Sequence, residues 1–305
     1  MVPGDRAVGH GGGWGSRDTQ PDDGQLPEAS SSASAAANRP EIRGYRIEGI
    51  LGRGATGIVY SAVQLAVDRP VAIKVLHTEL VGTDRAARRL QREARTAARL
   101  AHPGIISAID MGEQDGRWWY AMELVEGISL AERLAERGAL TEREALRLFC
   151  PLCDALQHLY EGGVVHRDIK PANILINERG RAQLVDLGLA FSEDDPSMTR
   201  SGGTLGTPHY MSPEQARDPT KADQRSDIWS LGATLYHALC ARPPFEGESV
   251  GEILSGVLYH RVTEPRRLAP HLSKGISLVL RKCLAREPVQ RYRTPAELLA
   301  DLERL

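Results

Sequence analysis

The sequence predicts an α+β fold with two lobes, a small strand-rich lobe followed by a larger helical lobe. From Tyr45 to about residue 124 the chain contains short β-type runs that are separated by Gly, Asp and Pro. From Ser129 onward, helical patterns dominate. Strands that come first and helices that follow are typical of an α+β protein. No internal repeat is visible in the sequence.

Residues 1–43 differ in composition from the rest of the chain. The stretches GHGGGWGS and ASSSASAAA are rich in Gly, Ser and Ala and contain few large aliphatic residues. Such a segment cannot bury enough apolar surface to offset its ordering entropy. We therefore expect a disordered tail over residues 1–43 and a folded domain over residues 44–303.

The first lobe, over residues 44–124, is predicted to contain four strands and one main helix. The β-type runs are YRIEGIL, GIVYSAVQ, RPVAIKVL and RWWYAMEL, and turn residues bound each of them. Between the third and fourth runs, TDRAARRLQREARTAARLAH has the spacing of a long helix.

The second lobe, over residues 128–303, contains recognisable helix boundaries. Residues 141–144, TERE, form a capping box that predicts a helix start, and the Gly162-Gly163 pair predicts the end of that helix. Residues 294–297, TPAE, form a second capping box with Pro295 at the first helical position.

The composition is that of an ordinary globular protein. Of the 305 residues, 41% are hydrophobic and 26% are charged, and the formal net charge is −2. This balance gives no reason to expect a nucleic-acid partner, because such domains usually carry a basic excess. No apolar run approaches the roughly 18 residues of a membrane helix, and the N-terminus lacks the apolar region of a signal peptide. We therefore expect no membrane segment in this chain and a cytoplasmic location.

Cys150 and Cys153 form a C-x-x-C pattern, which suggests either a metal or redox site or a helix core. The surrounding EALRLFCPLCDAL has a helical pattern, and no second Cys or His pair follows at zinc-finger spacing. The helix-core interpretation is therefore favoured.

Three glycines follow the first predicted strand in G-x-G-x-x-G spacing: Gly52, Gly54 and Gly57. A dinucleotide-binding fold would require a helix after this motif, whereas the β-type run GIVYSAV follows it here. A glycine hairpin between two strands can bring backbone N–H groups close to phosphates. The alternative is a plain flexible hairpin.

Lys74 lies inside the apolar run VAIK, where a charge needs a partner. Glu93 shares a predicted helix face with Leu90 and Ala97, so its carboxylate is also out of place on an apolar face. The two charges are predicted to pair, either as a structural salt bridge alone or as a pair in which Lys74 also binds phosphate oxygens.

The segment VVHRDIKPANIL places charged and amide side chains where a buried strand would otherwise continue. Asp186, at the end of the apolar run LVD, follows Asn173 by thirteen residues, and carboxylate and amide oxygens both suit a hard cation such as Mg²⁺. Asp168 is then left to orient a substrate hydroxyl and accept its proton, and Lys170 to neutralise a transferred phosphoryl group. Phosphoryl transfer depends mostly on such positioning and electrostatics.

Taken in order, these motifs resemble the protein kinases, in particular the bacterial serine/threonine kinases of eukaryotic (Hanks) type. The resemblance covers residues from about 45 to 303. The motifs are Gly52-x-Gly54-x-x-Gly57-x-Val59, Val71-Ala72-Ile73-Lys74, Glu93, His166-Arg167-Asp168, Asn173, Asp186-Leu187-Gly188 and Ser212-Pro213-Glu214. Their order and separations make the signal specific. The resemblance implies a bilobal protein-kinase-like fold that binds ATP with Mg²⁺, or with Mn²⁺ as a substitute.

The resemblance also implies roles for individual residues. Lys74 would hold the α- and β-phosphates and pair with Glu93, Asp168 would be the catalytic base assisted by Lys170, and Asn173 and Asp186 would bind the metal. The nucleotide site would be formed by Leu51, Gly52, Gly54, Gly57, Val59, Ala72, Lys74, Met122, Glu123, Val125 and Leu175, with Met122 as gatekeeper and residues 123–125 as hinge. Two further positions would be structural: Asp227 bracing the catalytic loop, and Arg291 pairing with Glu214.

Two positions depart from the family pattern. Leu187 replaces the usual Phe of D-F-G, and Ser212 replaces the Ala of A-P-E. Lys170, in H-R-D-x-K-x-x-N, resembles the serine/threonine rather than the tyrosine kinases, and GTPHYMSPE, with Thr207 near Asp168, resembles the same type.

The stretch SEDDPSMTRSGGTLGTPHY is polar, rich in glycine and without periodicity. The resemblance implies that it is an activation loop, with Thr199 and Ser201 as autophosphorylation sites. A phosphate there would bring a charge of about −1.5 to −2 that Arg167 can bind, ordering the substrate platform. The alternative is that these are ordinary loop hydroxyls.

The predicted partners are ATP and proteins carrying Ser or Thr, with a transient homodimer for autophosphorylation in trans. Two other functions have the same fold. A pseudokinase scaffold would have lost Lys74, Asp168, Asn173 or Asp186, and all four are present. A small-molecule kinase of the aminoglycoside type would lack the long segment between Asp186 and Ser212.

Overall fold

The first lobe is built on a five-stranded antiparallel sheet in the order β1-β2-β3-β5-β4. The computed structural model describes residues 40–54, 56–78, 91, 100–186 and 208–305. The strands are β1 (Tyr45–Gly54), β2 (Gly57–Gln64), β3 (Arg69–Leu76), β4 (Ala108–Gln114) and β5 (Arg117–Glu123). A bulge interrupts the β1–β2 pairing between Ile50 and Gly52.

The sheet has an apolar cluster on each of its two faces. On β3, Val71 and Ile73 belong to one cluster, and Ala72 and Leu76 belong to the other. We call the second the cleft cluster, and its members are Ala72, Leu76, Ile106, Trp118, Tyr120 and Met122, with Val59, Met111, Leu124, Val125, Leu175 and Val185 packed against it. Because successive side chains of a strand point to opposite faces, Lys74 lies on the face of the cleft cluster.

A second sheet links the lobes. It contains β6 (Gly127–Ser129), β7 (Ile174–Asn177) and β8 (Ala182–Leu184), in that order. In the pairing of β7 with β8, Ile174 lies opposite Leu184, and the Val185 N–H donates to the Asn173 carbonyl at 3.0 Å. This hairpin therefore brings the residues that precede β7 close to those that follow β8.

The second lobe is helical. The α-helices among its described residues are α1 (Leu130–Arg137), α2 (Glu142–Glu161), α3 (Pro213–Arg217), α4 (Gln224–Cys240), α5 (Val250–Tyr259), α6 (Pro265–Leu268), α7 (Lys274–Cys283) and α8 (Pro295–Leu302). Helix α4 is buried on nearly all sides and carries Trp229 and Tyr236, two of the largest fully buried side chains. Burial on nearly all sides places this helix at the centre of the helical lobe's core. Among the described residues, none of the helices has the length and apolar character needed to cross a bilayer.

The predicted helix starts are confirmed. Thr141 caps α2 in a capping box with Glu144, and Gly162 is its C-cap. Thr294 caps α8 and Pro295 is at its start, but the predicted reciprocal contact differs. The Glu297 carboxylate accepts from the Arg293 N–H at 2.9 Å, one residue before the N-cap. The cysteine pair lies on α2, where Cys153 is fully buried as expected for a helix core.

All four predicted strands are present, and β2 and β3 have the predicted bounds. Strand β4 is not predicted because it lies at the sheet edge, where none of its residues is buried. The predicted main helix, residues 83–102, lies outside the described residues except for Gln91 and residues 100–102. Most of the predicted tail also lies outside them, so its boundary stays a prediction. Ile42, within that predicted tail, is 5% exposed and packs against the five-stranded sheet.

Candidate active site

The hairpin between β1 and β2 contains the three motif glycines, and they differ in what surrounds them. A Cβ added at Gly57 would lie 2.2 Å from the Val75 carbonyl oxygen, so the close approach of β3 requires glycine there. Among the described residues, a Cβ at Gly52 would meet nothing within 4 Å, and one at Gly54 only the Gly57 carbonyl oxygen at 3.8 Å. Protein packing therefore explains Gly57, whereas Gly52 and Gly54 leave their backbone open to a ligand.

Asp186 lies in the segment that follows β8 and contacts two strands of the five-stranded sheet. The Lys74 ammonium lies 2.6 Å from Asp186 Oδ2, and the Tyr120 hydroxyl donates to Asp186 Oδ1 at 2.5 Å. Lys74 on β3 and Tyr120 on β5 are directly opposite each other in the strand pairing. Asp186 itself has a left-handed φ of 57°. Two neighbouring strands thus hold the two oxygens of one carboxylate.

The electrostatics of this group follow from burial and from the Lys74 charge. Burial alone raises the pKa of Asp186, but the charge and hydrogen bond of Lys74, with the bond from Tyr120, hold it below its usual value. Burial, together with the negative charge of Asp186, raises the pKa of Tyr120 well above its usual value. Near neutral pH, Asp186 is therefore an ionised acceptor and Tyr120 a hydrogen-bond donor.

Asp168 lies in a cluster formed by residues close to it in sequence. The Lys170 ammonium lies 3.0 Å from Asp168 Oδ1 and 2.8 Å from Oδ2. The Asn173 side-chain amide donates to the Asp168 carbonyl and to its Oδ2, both at 2.8 Å. The Asp168 side chain remains 24% exposed. The carboxylate is therefore oriented by two donors and still accessible to a substrate hydroxyl.

The loop that carries Asp168 is anchored to the helical core by Asp227 of α4. The Asp227 carboxylate accepts from the His166 N–H at 2.7 Å and from the Arg167 N–H at 2.8 Å. Arg167 has a left-handed φ of 66°, a conformation that costs a non-glycine residue roughly 1–3 kcal/mol. Gln215 also holds this residue, because its side-chain amide donates to the Arg167 carbonyl at 3.0 Å. The predicted bracing role of Asp227 is confirmed.

Asp227 is buried, and burial raises its pKa above the usual value. The charge of His166 and the two backbone hydrogen bonds oppose this shift but do not cancel it. The predicted pair of Arg291 and Glu214 is also confirmed, with two contacts of 2.6 and 2.8 Å. Both predictions concern residues that hold the helical lobe together.

The apolar residues predicted to surround adenine lie together on one face of the five-stranded sheet. Ala72 and Met122 are members of the cleft cluster, and Val59, Val125 and Leu175 pack against it. Leu51 lies at the bulge of β1 with its side chain 53% exposed, and Glu123 ends β5. The Glu123 N–H donates to the Ser107 carbonyl at 3.1 Å.

Several predicted positions lie outside the described residues. They are Glu93, Leu187, Gly188, Thr199, Ser201 and Thr207. The Lys74–Glu93 pair and the phosphorylation sites therefore stay predictions.

The sequence analysis missed Tyr120 as a site residue. Strand alternation could have identified it, because Tyr120 lies two residues before Met122 and therefore on the same face of β5. A tyrosine on the same strand face as the predicted gatekeeper Met122 was the available signal.

The side chains present fit a nucleotide with a divalent metal. Asp186 and Asn173 carry oxygen atoms of the kind that hard cations prefer, and Lys74 is a buried cation 6% exposed. Within the described ranges, no group of three or more His, Cys, Asp or Glu side chains forms a metal cage. Two protein ligands suit Mg²⁺, which usually shares its coordination with waters and substrate phosphates.

Comparisons with known proteins agree with this geometry. Residues 45–301 match the family model described as protein kinase domain. The chain is 37% identical over 259 residues to the serine/threonine-protein kinase PrkC of Bacillus subtilis, a match that covers 85% of this chain and 40% of PrkC. It is also 37% identical over 271 residues to the serine/threonine-protein kinase PknB of Mycobacterium tuberculosis, covering 86% of this chain and 42% of PknB.

Among solved structures, the PknI kinase domain of Mycobacterium tuberculosis is similar, with a TM-score of 0.71 and 29% sequence identity. That match covers 86% of this chain and 95% of the PknI domain. The chain spans about two fifths of the length of the two curated relatives, 40% and 42%. The family match, the similar fold and the clustered motif residues lead to one assignment. The chain belongs to the protein kinase domain family and, within it, to the bacterial serine/threonine kinases of Hanks type.

Proposed function

We propose that this chain is a serine/threonine protein kinase that transfers the γ-phosphoryl group of ATP to Ser and Thr hydroxyls of proteins. The family implies ATP and a divalent metal; Mg²⁺ as that metal, with Mn²⁺ as a substitute, is part of the proposal. The observation that carries it is the Asp168 cluster, in which Lys170 and Asn173 orient an accessible carboxylate.

In this mechanism Asp168 accepts the proton of the substrate hydroxyl as that oxygen attacks the γ-phosphorus, while the bond from the γ-phosphorus to the bridging oxygen breaks and ADP leaves. Lys170 lies 2.8 Å from Asp168 and balances negative charge on the transferred group. Because Asn173 bonds both the carbonyl and the side chain of Asp168, it fixes the direction of the base relative to its own loop.

Lys74 and the glycine hairpin would bind the phosphates of ATP, and the cleft cluster would surround the adenine. Asn173 and Asp186 would hold the metal, which when bound neutralises charge on the phosphates. For this to occur, the Lys74 ammonium, which contacts Asp186 Oδ2, has to direct its other donors towards the phosphates. Its flexible four-carbon stem permits that movement.

The alternatives receive less support. A pseudokinase scaffold needs no oriented base, whereas Asp168 is held by Lys170 and Asn173. An aminoglycoside-type kinase does not account for 37% identity to proteins named serine/threonine-protein kinases.

The test is phosphate transfer from radiolabelled ATP to a mixture of casein and basic proteins, followed by phosphoamino-acid analysis. We expect Mg²⁺-dependent label on Ser and Thr, and no label with Asp168→Asn. Label on an added aminoglycoside but not on protein, or no transfer by the wild-type chain, would overturn the proposal.

Regulation by autophosphorylation at Thr199 and Ser201 is a further part of the proposal, and it is supported by the polar character of their loop. Mass spectrometry of the wild-type chain should find phosphate on this loop, and Asp168→Asn should carry none. Replacing both residues by Ala should lower activity, whereas the control Thr204→Ala should not. A double variant with full activity would exclude this switch.

We also propose that the domain acts in the cytoplasm, where ATP is available.

We propose further that autophosphorylation occurs in trans through a transient homodimer. Mixing the active chain with a longer, tagged Asp168→Asn copy tests this transfer between molecules. Phosphate on the inactive copy is expected, and label confined to the active copy would contradict transfer between molecules.

A further inference from the structure

Tyr120 is a buried polar residue for which the proposed reaction has no role so far. Its side chain lies in the cleft cluster, and the residue is only 7% exposed. A buried phenolic hydroxyl normally requires a hydrogen-bond partner. Here the partner is Asp186, which is 66 residues away in the chain and would bind the metal.

The sheet register makes this contact part of the fold. Tyr120 of β5 is paired with Lys74 of β3, and cross-strand partners point to the same face. Lys74 contacts Oδ2 of Asp186 and Tyr120 contacts Oδ1. With one donor on each oxygen, the plane of the carboxylate is set from two adjacent strands.

The two donors differ in how far they can move. Lys74 has a flexible stem, and the proposed function requires its ammonium to bind phosphates. The Tyr120 hydroxyl is attached to a rigid ring that is packed among apolar side chains. When Lys74 turns towards the phosphates, the Tyr120 contact is therefore the one whose geometry stays fixed.

We propose that Tyr120 is a positioning residue for Asp186. Its hydroxyl keeps the Asp186 carboxylate oriented for the divalent metal while Lys74 binds the phosphates. The inference rests on the proposed function, because it takes Asp186 to be a metal ligand. Hydrogen-bond partners of metal ligands typically change metal affinity by about 10–100-fold when they are removed.

The test is a titration with Mn²⁺, in which electron paramagnetic resonance measures the free ion. It is done in the presence of a non-hydrolysable ATP analogue, so that no turnover occurs. Tyr120→Phe keeps the ring and removes only the hydroxyl. We expect roughly tenfold weaker Mn²⁺ binding, with unchanged affinity for the analogue in EDTA. Tyr120→Met, an apolar side chain that adapts to its surroundings, should show the same loss if the Phe variant does not fold.

The matched control is Tyr45→Phe. The Tyr45 hydroxyl donates to Asp110 Oδ2 at 3.0 Å, and its ring belongs to the cluster on the other face of the sheet. This change removes a tyrosine–carboxylate bond from the same lobe without touching Asp186, so Mn²⁺ affinity should stay at the wild-type value. An equal loss in the control would reject the positioning role in favour of general destabilisation of the sheet.

Asp186→Asn separates failure of this inference from failure of the proposed function. If Asp186→Asn binds Mn²⁺ as tightly as the wild type, the metal assignment fails and the inference fails with it. If Asp186→Asn loses binding while Tyr120→Phe stays within twofold of the wild type, only the role of Tyr120 is overturned. If Tyr120→Phe lowers kcat by weakening metal binding, high Mg²⁺ should restore that kcat. Added metal does not repair a misfolded site, so a kcat that stays low would count against the positioning role.

Discussion

Arg291 in the helical lobe and Lys74 in the cleft are both buried cations, with side chains 0% and 7% exposed. Arg291 donates five hydrogen bonds, two to Glu214 and three to backbone carbonyls, which uses every N–H of a guanidinium. An ammonium has three donors, and within the described part of the chain Lys74 contacts one acceptor, Asp186 Oδ2.

The difference indicates how to distinguish a structural buried charge from a functional one. A cation whose donors are all used has no capacity left for a ligand and serves the fold. A cation whose donors the described residues do not all use, beside a glycine hairpin, retains the capacity to bind phosphate. The same contrast predicts opposite outcomes when charges are removed from the two regions.

The largest effect is expected from Asp168→Asn, which removes the proposed base from the cleft. We expect kcat to fall by about 10³-fold, within the usual range for general-base removal. Nucleotide affinity should change little, because Asp168 would contact the substrate hydroxyl rather than ATP. Steady-state kinetics and nucleotide titration check this. Asp154→Asn, at a side chain 63% exposed on α2, is the control and should keep the wild-type kcat. Lost nucleotide affinity with unchanged kcat would make Asp168 a metal ligand instead.

Arg291→Met is expected to affect stability rather than chemistry. It leaves the Glu214 carboxylate, whose side chain is 13% exposed, without its cation. Removing one partner of a buried ion pair typically costs about 3–5 kcal/mol in the free energy of unfolding. Activity per folded molecule should stay close to wild type. Chemical denaturation and kinetics on the folded fraction measure the two quantities.

Arg293→Met is the matched control for that change. Arg293 pairs with Glu297 on the surface, and its side chain is 82% exposed. Water already solvates this pair, so no measurable change in Tm is expected. Similar destabilisation by the two substitutions would contradict the structural role given to Arg291.

Lys74→Met should show the reverse profile, a loss of kcat/KM of about 10²-fold or more with a modest loss of stability. Asp186 would still accept a hydrogen bond from Tyr120. The loss in unfolding free energy should therefore be about 1–3 kcal/mol, the usual cost when a buried group loses one partner. Kinetics and thermal melting report both values. A variant with normal transfer rates would break the distinction between the two cations.

The smallest effect concerns pH. Burial raises the pKa of Glu214, but the hydrogen bonds and charge of Arg291, with a bond from Ser226, hold it below its usual value of 4.5. The ionised Glu214 therefore stabilises the wild type above that pH, and this contribution is lost as pH falls through the folded-state pKa.

In Arg291→Met the burial effect is no longer offset by the cation, so the pKa of Glu214 should lie above its unfolded value. Ionised Glu214 then destabilises the variant, and protonation relieves that cost as pH falls from about 6 to 4. The stability gap between wild type and variant should narrow over this range in urea titrations. A gap that stays constant with pH would show that Glu214 does not cause the difference.

Much of the fold was predictable because it depends on residues only a few positions apart. The β-type composition of RPVAIKVL, bounded by turn residues, predicted β3 with its observed bounds, and the Thr141 capping box predicted the start of α2. The Asp168 cluster is similarly local, since Lys170 and Asn173 follow within five residues. Such features need no knowledge of the distant chain.

Other features depend on contacts that local patterns do not contain. Strand β4 has no buried residue, and only its pairing with β5 makes it a strand. The Glu297 carboxylate accepts from the Arg293 N–H and not from the N–H of the N-cap residue Thr294, because the fold places the Arg293 N–H within its reach. The two bonds that hold Asp186 join residues 112 and 66 positions apart. They form only when many weak packing interactions bring β3 and β5 against the segment after β8, and no short stretch of sequence encodes that sum.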